Sequence, residues 1–167
     1  MIIKEISELL IQYSEPLGLL RTSWAAGRDM SQFRPTLDRL QVLAQRLGMS
    51  RYLLDLEALP DISAYDQQWL ATQWLPRVLE LPLKQLVIVL SPRRVYNSQV
   101  VENLLLVARP FIRFDVQFFS QPVPGLRWLS DYSPLLPEML AEWDTAFGPA
   151  GPLPSGVAEP RPRYGRA

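Results

Sequence analysis

The segment KQLVIVLS, residues 84–91, constrains the fold more than any other part of the chain. Its near-continuous apolar run leaves neither face of a strand for water, and such strands lie inside parallel sheets covered by helices. Neighbouring segments supply the rest of a sheet of that kind. LLIQYS (9–14) and LLRTSWA (19–25) read as strands joined by EPLG, where Pro16 and Gly18 carry turn chemistry, so the two form an antiparallel hairpin. Residues 31–48 place Phe33, Leu37, Leu40, Leu43 or Ala44, and Leu47 at helical spacing. Pro35 is tolerated in the first turn of that helix and Gly48 is its stop signal. RYLLDLEAL (51–59) and IRFDVQFFS (112–120) read as strands, and SQVVENLLLVA (98–108) as a helix. A helix follows the strand at 51–59, and a short last one lies near PGLRWLSD (124–131).

The order β-β-α-β-α-β-α-β-α predicts an α/β fold: an open mixed, mostly parallel five-stranded sheet with packed helices and right-handed crossovers. Residues 1–131 form this domain. Residues 132–147, with PEMLAEWDTAF, make a short helical extension, and 148–167 a Pro/Gly-rich flexible tail that buries too little apolar surface to offset its ordering entropy.

Composition narrows the chemistry. Among 167 residues there is no cysteine, which removes disulfides, thiolate catalysis and Cys-based zinc sites. There is no histidine either, so the commonest general base and the commonest metal ligand are missing. A net charge of zero argues against non-specific binding to nucleic acid or to an acidic membrane. No apolar run approaches the roughly 18–20 residues that span a bilayer, and the start lacks a secretory cleavage pattern, so a cytoplasmic protein without a cofactor is expected.

The stretch SAYDQQWLATQWLPRVLEL (63–81) combines two tryptophans with a proline inside a helical pattern. Leu70, Trp74, Val78 and Leu81 form one apolar stripe, and Trp69 flanks it. Pro76 lacks the amide that would bond the Thr72 carbonyl, which predicts a kink or an early end. Either Trp74 is core and the kink wraps the helix over a twisted sheet, or the kink opens an apolar pocket walled by Trp24, Trp69 and Trp74.

The series LLRTSWAA…FRPTLDRL, then RYLLDLEALPDISAYDQQWLATQWLPR, then VIVLSPRRVYNS resembles the small bacterial SpoIIAA-like (STAS/Sec14-like) domains, from about Leu9 to Asp131. The resemblance implies an open mixed α/β sheet with helices on it and a regulatory role. In anti-sigma-factor antagonists of the STAS type, the matching helix opens with a phosphorylatable serine in a D-S-S-G-like motif. Here Ser63 takes that place, with Asp61 two before it, but the adjacent Asp-Ser pair and the glycine are absent. From the residues alone, Ser63 followed by Asp66 is a helix cap with a carboxylate three residues on.

Ligands of open parallel sheets approach the carboxyl ends of the strands. That edge gathers Arg28, Asp29, Asp61, Ser63, Asp66, Arg93 and Arg94, and the two adjacent arginines suit a carboxylate or phosphate. Asp55 and Glu57, two apart, would share one strand face, a weak signal for acid–base or Mg²⁺ chemistry. The function expected is a non-catalytic regulatory or protein-interaction domain of STAS-like type, binding a protein partner or a second copy. The alternative is a carrier of a small apolar or lipid-like ligand under the kinked helix.

Overall fold

The computed structural model describes residues 1–148; the expected flexible tail lies, except for Gly148, outside the described residues. Six strands form one sheet in sequence order: β1 (Ile2–Ile3), β2 (Leu9–Ser14), β3 (Leu19–Trp24), β4 (Arg51–Asp55), β5 (Gln85–Val89) and β6 (Asp115–Phe119). Pairings β1–β2 and β2–β3 are antiparallel, and β3–β4, β4–β5 and β5–β6 are parallel. The expected α/β fold with a mixed sheet is present, but the five strands expected are corrected to six, with three of the five pairings parallel. The added strand is β1, which is too short to show the two-residue periodicity that marks a strand in sequence.

Five helices accompany the sheet: α1 (Phe33–Leu47), α2 (residues 64–78), α3 (Val95–Ala108), α4 (Pro122–Ser130) and α5 (Leu136–Phe147). Alternation along the strands sorts them into two layers. Leu20, Tyr52, Leu86 and Ile88 share a core with Leu37 and Leu40 of α1, Leu70 of α2 and Val100 of α3. Their strand neighbours Leu19, Leu53, Val87 and Val89 share a second core with Leu126 and Leu129 of α4 and Leu136 and Met139 of α5. Consecutive right-handed crossovers in one direction put all connecting helices on one face, so the other face needs the carboxyl-terminal pair.

Several local expectations are met by direct bonds. Gly48 is left-handed at φ 62° and its amide bonds Ala44 O, ending α1. The hairpin turn has Gly18 at φ 57° and its N–H on Glu15 O. In α2, the segments Ala64–Trp69 and Leu75–Val78 flank a π-helical turn, Leu70–Trp74, in which Leu75 N–H bonds Leu70 O. The helix therefore passes Pro76 and ends two residues on, at Val78, short of Leu81. One extra residue in the turn before the proline changes which carbonyls face the position lacking a donor. Side chains add donors nearby: Thr72 Oγ1 to Gln68 O at 2.8 Å and Arg77 Nε to Gln73 O at 3.0 Å.

α5 closes the second face by specific polar contacts. Gln12, fully buried on β2, donates to Met139 O at 2.8 Å and to Glu142 Oε1 at 2.7 Å. Arg21 of β3 is buried with its guanidinium 3.6 Å from the centre of the Trp143 ring. Burial pulls its pKa down to about 10, against the opposing pull of Asp55 and Asp144, so it stays charged at neutral pH.

α4 lies unusually close to the sheet because Gly125 has no side chain. A Cβ there would sit 2.7 Å from Val87 Cγ1 and 3.3 Å from Leu53 Cδ1. Gly125→Ala is expected to destabilise the fold by about 1–3 kcal/mol despite the better helix propensity of alanine. Urea denaturation checks this; an unchanged or higher midpoint would contradict the close approach.

Candidate functional site

At the carboxyl ends of the parallel strands, the loop after β4 is held by the start of α3. Asn97, almost fully buried, receives Ile62 N–H on Oδ1 at 3.0 Å and donates from Nδ2 to Leu59 O at 3.1 Å and Pro60 O at 3.0 Å. Tyr96 Oη donates to Ile62 O at 2.9 Å, and Arg94 Nη2 donates to Leu59 O. Gln67 Nε2 of α2 reaches both Ile62 O, at 2.9 Å, and Tyr96 Oη, at 3.0 Å. A turn leaving a sheet exposes backbone groups that need partners, and one helix start supplies most of them here.

Most of the charged edge is occupied in the same way. Asp61 is exposed with Oδ1 3.8 Å from Arg94 Nη2. Asp66 accepts from Arg34 Nε at 2.8 Å. Ser63 Oγ accepts from Asp66 N at 3.2 Å, which makes Ser63 the cap of α2. Asp29 accepts from Ser31 N at 2.9 Å, and its bonds from Ser31 hold its pKa below the usual aspartate value. Arg28 and Arg93 are exposed. The arginines and aspartates of this edge thus do not converge on a common point; they cap, clasp or face water.

Asp55 and Glu57 do not share a strand face, because β4 ends at Asp55. Asp55 Oδ1 instead accepts from Glu57 N at 3.0 Å. The Glu57 carboxylate turns to the end of β5, taking Ser91 N at 2.7 Å and Ser91 Oγ at 2.6 Å. Burial raises the pKa of Asp55, offset in part by the bond from Glu57 and by Arg21. Among the described residues, no group of three or more acidic side chains is placed to hold a metal ion.

The tryptophans lead elsewhere. A cavity of about 120 Å³ lies between the sheet and α1, α2 and α3, and Trp24 and Trp74 both line it. Trp69 does not; its ring meets Phe33 edge-on at 6.3 Å, and Phe33 meets Trp24 at 6.1 Å, so Trp69 stands one ring behind the wall. The remaining lining includes Leu37, Tyr52, Ile88, Val101 and Leu104. A void of this size costs on the order of 3 kcal/mol at ~24 cal/mol per Å³.

A second apolar feature faces outward. Beyond Pro76, a groove lined by Leu75, Pro76, Leu79, Val107 and Phe111, with Glu80 and Arg113 at its margins, separates α2 from the end of α3. Leu75 belongs to the walls of both the groove and the cavity. Sequence reading missed this groove and the role of Asn97. The only sequence signal for the groove was the apolar run LLLVA, longer than one buried helix face requires.

No family model matches the chain, and neither does any curated protein or solved structure.

Two expectations follow from the geometry. Asn97→Ala removes three bonds from a buried turn and should cost about 2–4 kcal/mol, whereas Arg93→Ala should be nearly neutral; chemical denaturation of both checks the contrast. Asp55→Asn keeps an acceptor for Glu57 N–H but no longer titrates. A raised folded pKa means that protonated Asp55 favours the fold at low pH and that this benefit is lost as pH rises from the ordinary value of 3.8 to the raised one. The stability of the variant relative to the parent should therefore climb across that window and level off above it, as read from urea midpoints at a series of pH values.

Proposed function

We propose that this chain is a non-catalytic interaction domain, of the regulatory kind that its resemblance to SpoIIAA-like domains implies, docking a partner protein on the outer surface of its helical layer. One observation carries this reading. Leu106 and Val107 in the last turn of α3 and Phe111 just beyond it are 69%, 66% and 67% exposed, and Val107 and Phe111 line the groove against α2. Scattered apolar residues on a surface need no explanation, but several large ones beside an apolar groove mark an interaction site. Arg109 and Arg113 are exposed beside them, and Glu80 is exposed on the α2 side of the groove, so the rim carries charges of both signs and favours an apolar segment flanked by mixed charge.

The reading is supported on the negative side by how the polar edge is used, since most of its charged groups are consumed in capping and clasping. The double substitution Leu106→Glu with Phe111→Glu tests it, because both side chains are largely in water already and the fold should tolerate the change within about 0.5 kcal/mol. Capture of the partner from the native host, or self-association in sedimentation, is expected with the parent chain and lost with the variant at unchanged melting temperature. Equal capture and equal self-association by both chains would sink the reading.

A further inference from the structure

The cavity under α2 is apolar in a stricter sense than the names of its lining residues convey. Each polar atom on its aromatic walls is bonded elsewhere: Trp24 Nε1 donates to Arg28 O at 3.1 Å and Trp74 Nε1 to Leu37 O at 3.0 Å, while Tyr52 Oη pairs with Thr22 Oγ1 at 2.9 Å. Asp55, the one charged residue that borders the space, lies on the strand parity of Leu53, whose side chain belongs to the opposite core, and it accepts from Glu57 N. A molecule inside would meet hydrocarbon and ring faces, with no free aromatic donor.

We propose that this cavity is a binding site for a compact, uncharged apolar molecule about the size of benzene. Volume sets the upper bound. At about 120 Å³ it is slightly smaller than an engineered core cavity of roughly 150 Å³ that stays dry and takes up benzene or xenon. A membrane lipid with full-length chains does not fit. Polarity sets the selectivity, because a hydroxyl buried without a partner loses its hydration and gains nothing. The helix above supplies the way in. Half-buried wall residues lie at two places, Leu54 to Leu56 at the end of β4 and Trp74, Leu75, Leu104 and Leu105 on α2 and α3, and the second group borders the irregular helix. Leu75 follows directly on the π-helical turn, a local distortion that recurs at functional sites, and its other side faces the outer groove. The cavity shares only Leu75 with the groove: Leu106, Val107 and Phe111 line no part of it.

The test is a titration of the full chain with benzene, and in parallel with phenol and with hexanoate, followed by thermal melting and by tryptophan fluorescence from Trp24 and Trp74. Benzene is expected to raise the melting temperature saturably, with phenol at least tenfold weaker. Hexanoate, which carries a charge, is expected not to compete, and competition by it as strong as benzene's own binding would overturn the uncharged-ligand reading. Val101→Leu and Leu104→Phe fill the space; each should keep or raise the ligand-free melting temperature and weaken benzene at least tenfold. Two substitutions guard against one failing to fold. The Leu106→Glu, Phe111→Glu chain should bind benzene as the parent does, which separates this site from the partner surface. No saturable response up to the solubility limit of benzene, phenol binding as well as benzene, or an undiminished response in the filled variants would overturn the proposal.

Discussion

Strand β5 can show water neither of its faces, and the architecture follows from that constraint. Leu86 and Ile88 demand a helical layer on one side, Val87 and Val89 on the other. The three parallel crossovers can serve only one side, because successive right-handed connections in one direction stack together. The chain must therefore return after β6 to cover the second face, and α4 and α5 do so. Gly125 lets α4 lie close over Val87 and Leu53, and the Arg21–Trp143 stack with the Gln12 bonds brings α5 over the hairpin. A buried arginine is a costly fastener unless its charge is compensated. Here an aromatic face and the fields of Asp55 and Asp144 provide that compensation without a close ion pair.

On the first face the difficulty is of another kind. α2 must cross the sheet carrying Leu70, Trp74 and Val78 inward, yet Pro76 sits within it. A regular helix would leave a carbonyl facing the proline ring; the wider π turn absorbs the mismatch and the helix continues. That solution changes the angular position of every residue after it, so Leu75 comes to stand between the interior space and the outer groove. The cavity is thus bordered by a stretch of the helical layer whose backbone is irregular.

How much of this was legible in the sequence depends on the range of the interaction. The hairpin turn at Gly18, the stop at Gly48, Pro35 in the first turn of α1 and the cap at Ser63 are all decided within a few residues, and all four are where the spacing put them. Strand β1 was invisible because a two-residue strand has no period, and its pairing with Ile11 and Gln12 is purely spatial. The Asp55–Glu57 reading failed by a boundary: the apolar run to Leu59 suggested a longer strand, but the chain leaves the sheet after Asp55 and the parity argument ends with it. Arg28, Asp61, Arg93 and Arg94 were placed at the correct edge of the sheet, yet sequence could not say whether neighbouring charges would aim at a ligand or at each other. Of the three tryptophans expected to wall a pocket, Trp24 and Trp74 border the cavity and Trp69 does not, because Phe33 intervenes from another helix.

The cavity itself belongs to a class of feature that no local pattern encodes, since it is the difference between the volume enclosed and the volume of the side chains sent to fill it. Trp24 and Trp74 both border the cavity, and both indole N–H groups are tethered to backbone carbonyls, of Arg28 and Leu37 respectively. A ring held by such a bond cannot slide inward to close a gap without giving up its partner. The same two tethers that satisfy the buried donors therefore keep the walls apart. A space maintained by hydrogen bonds at its periphery persists through the side-chain motions that would close one lined by leucines alone, and that is the physical condition for a preformed apolar site.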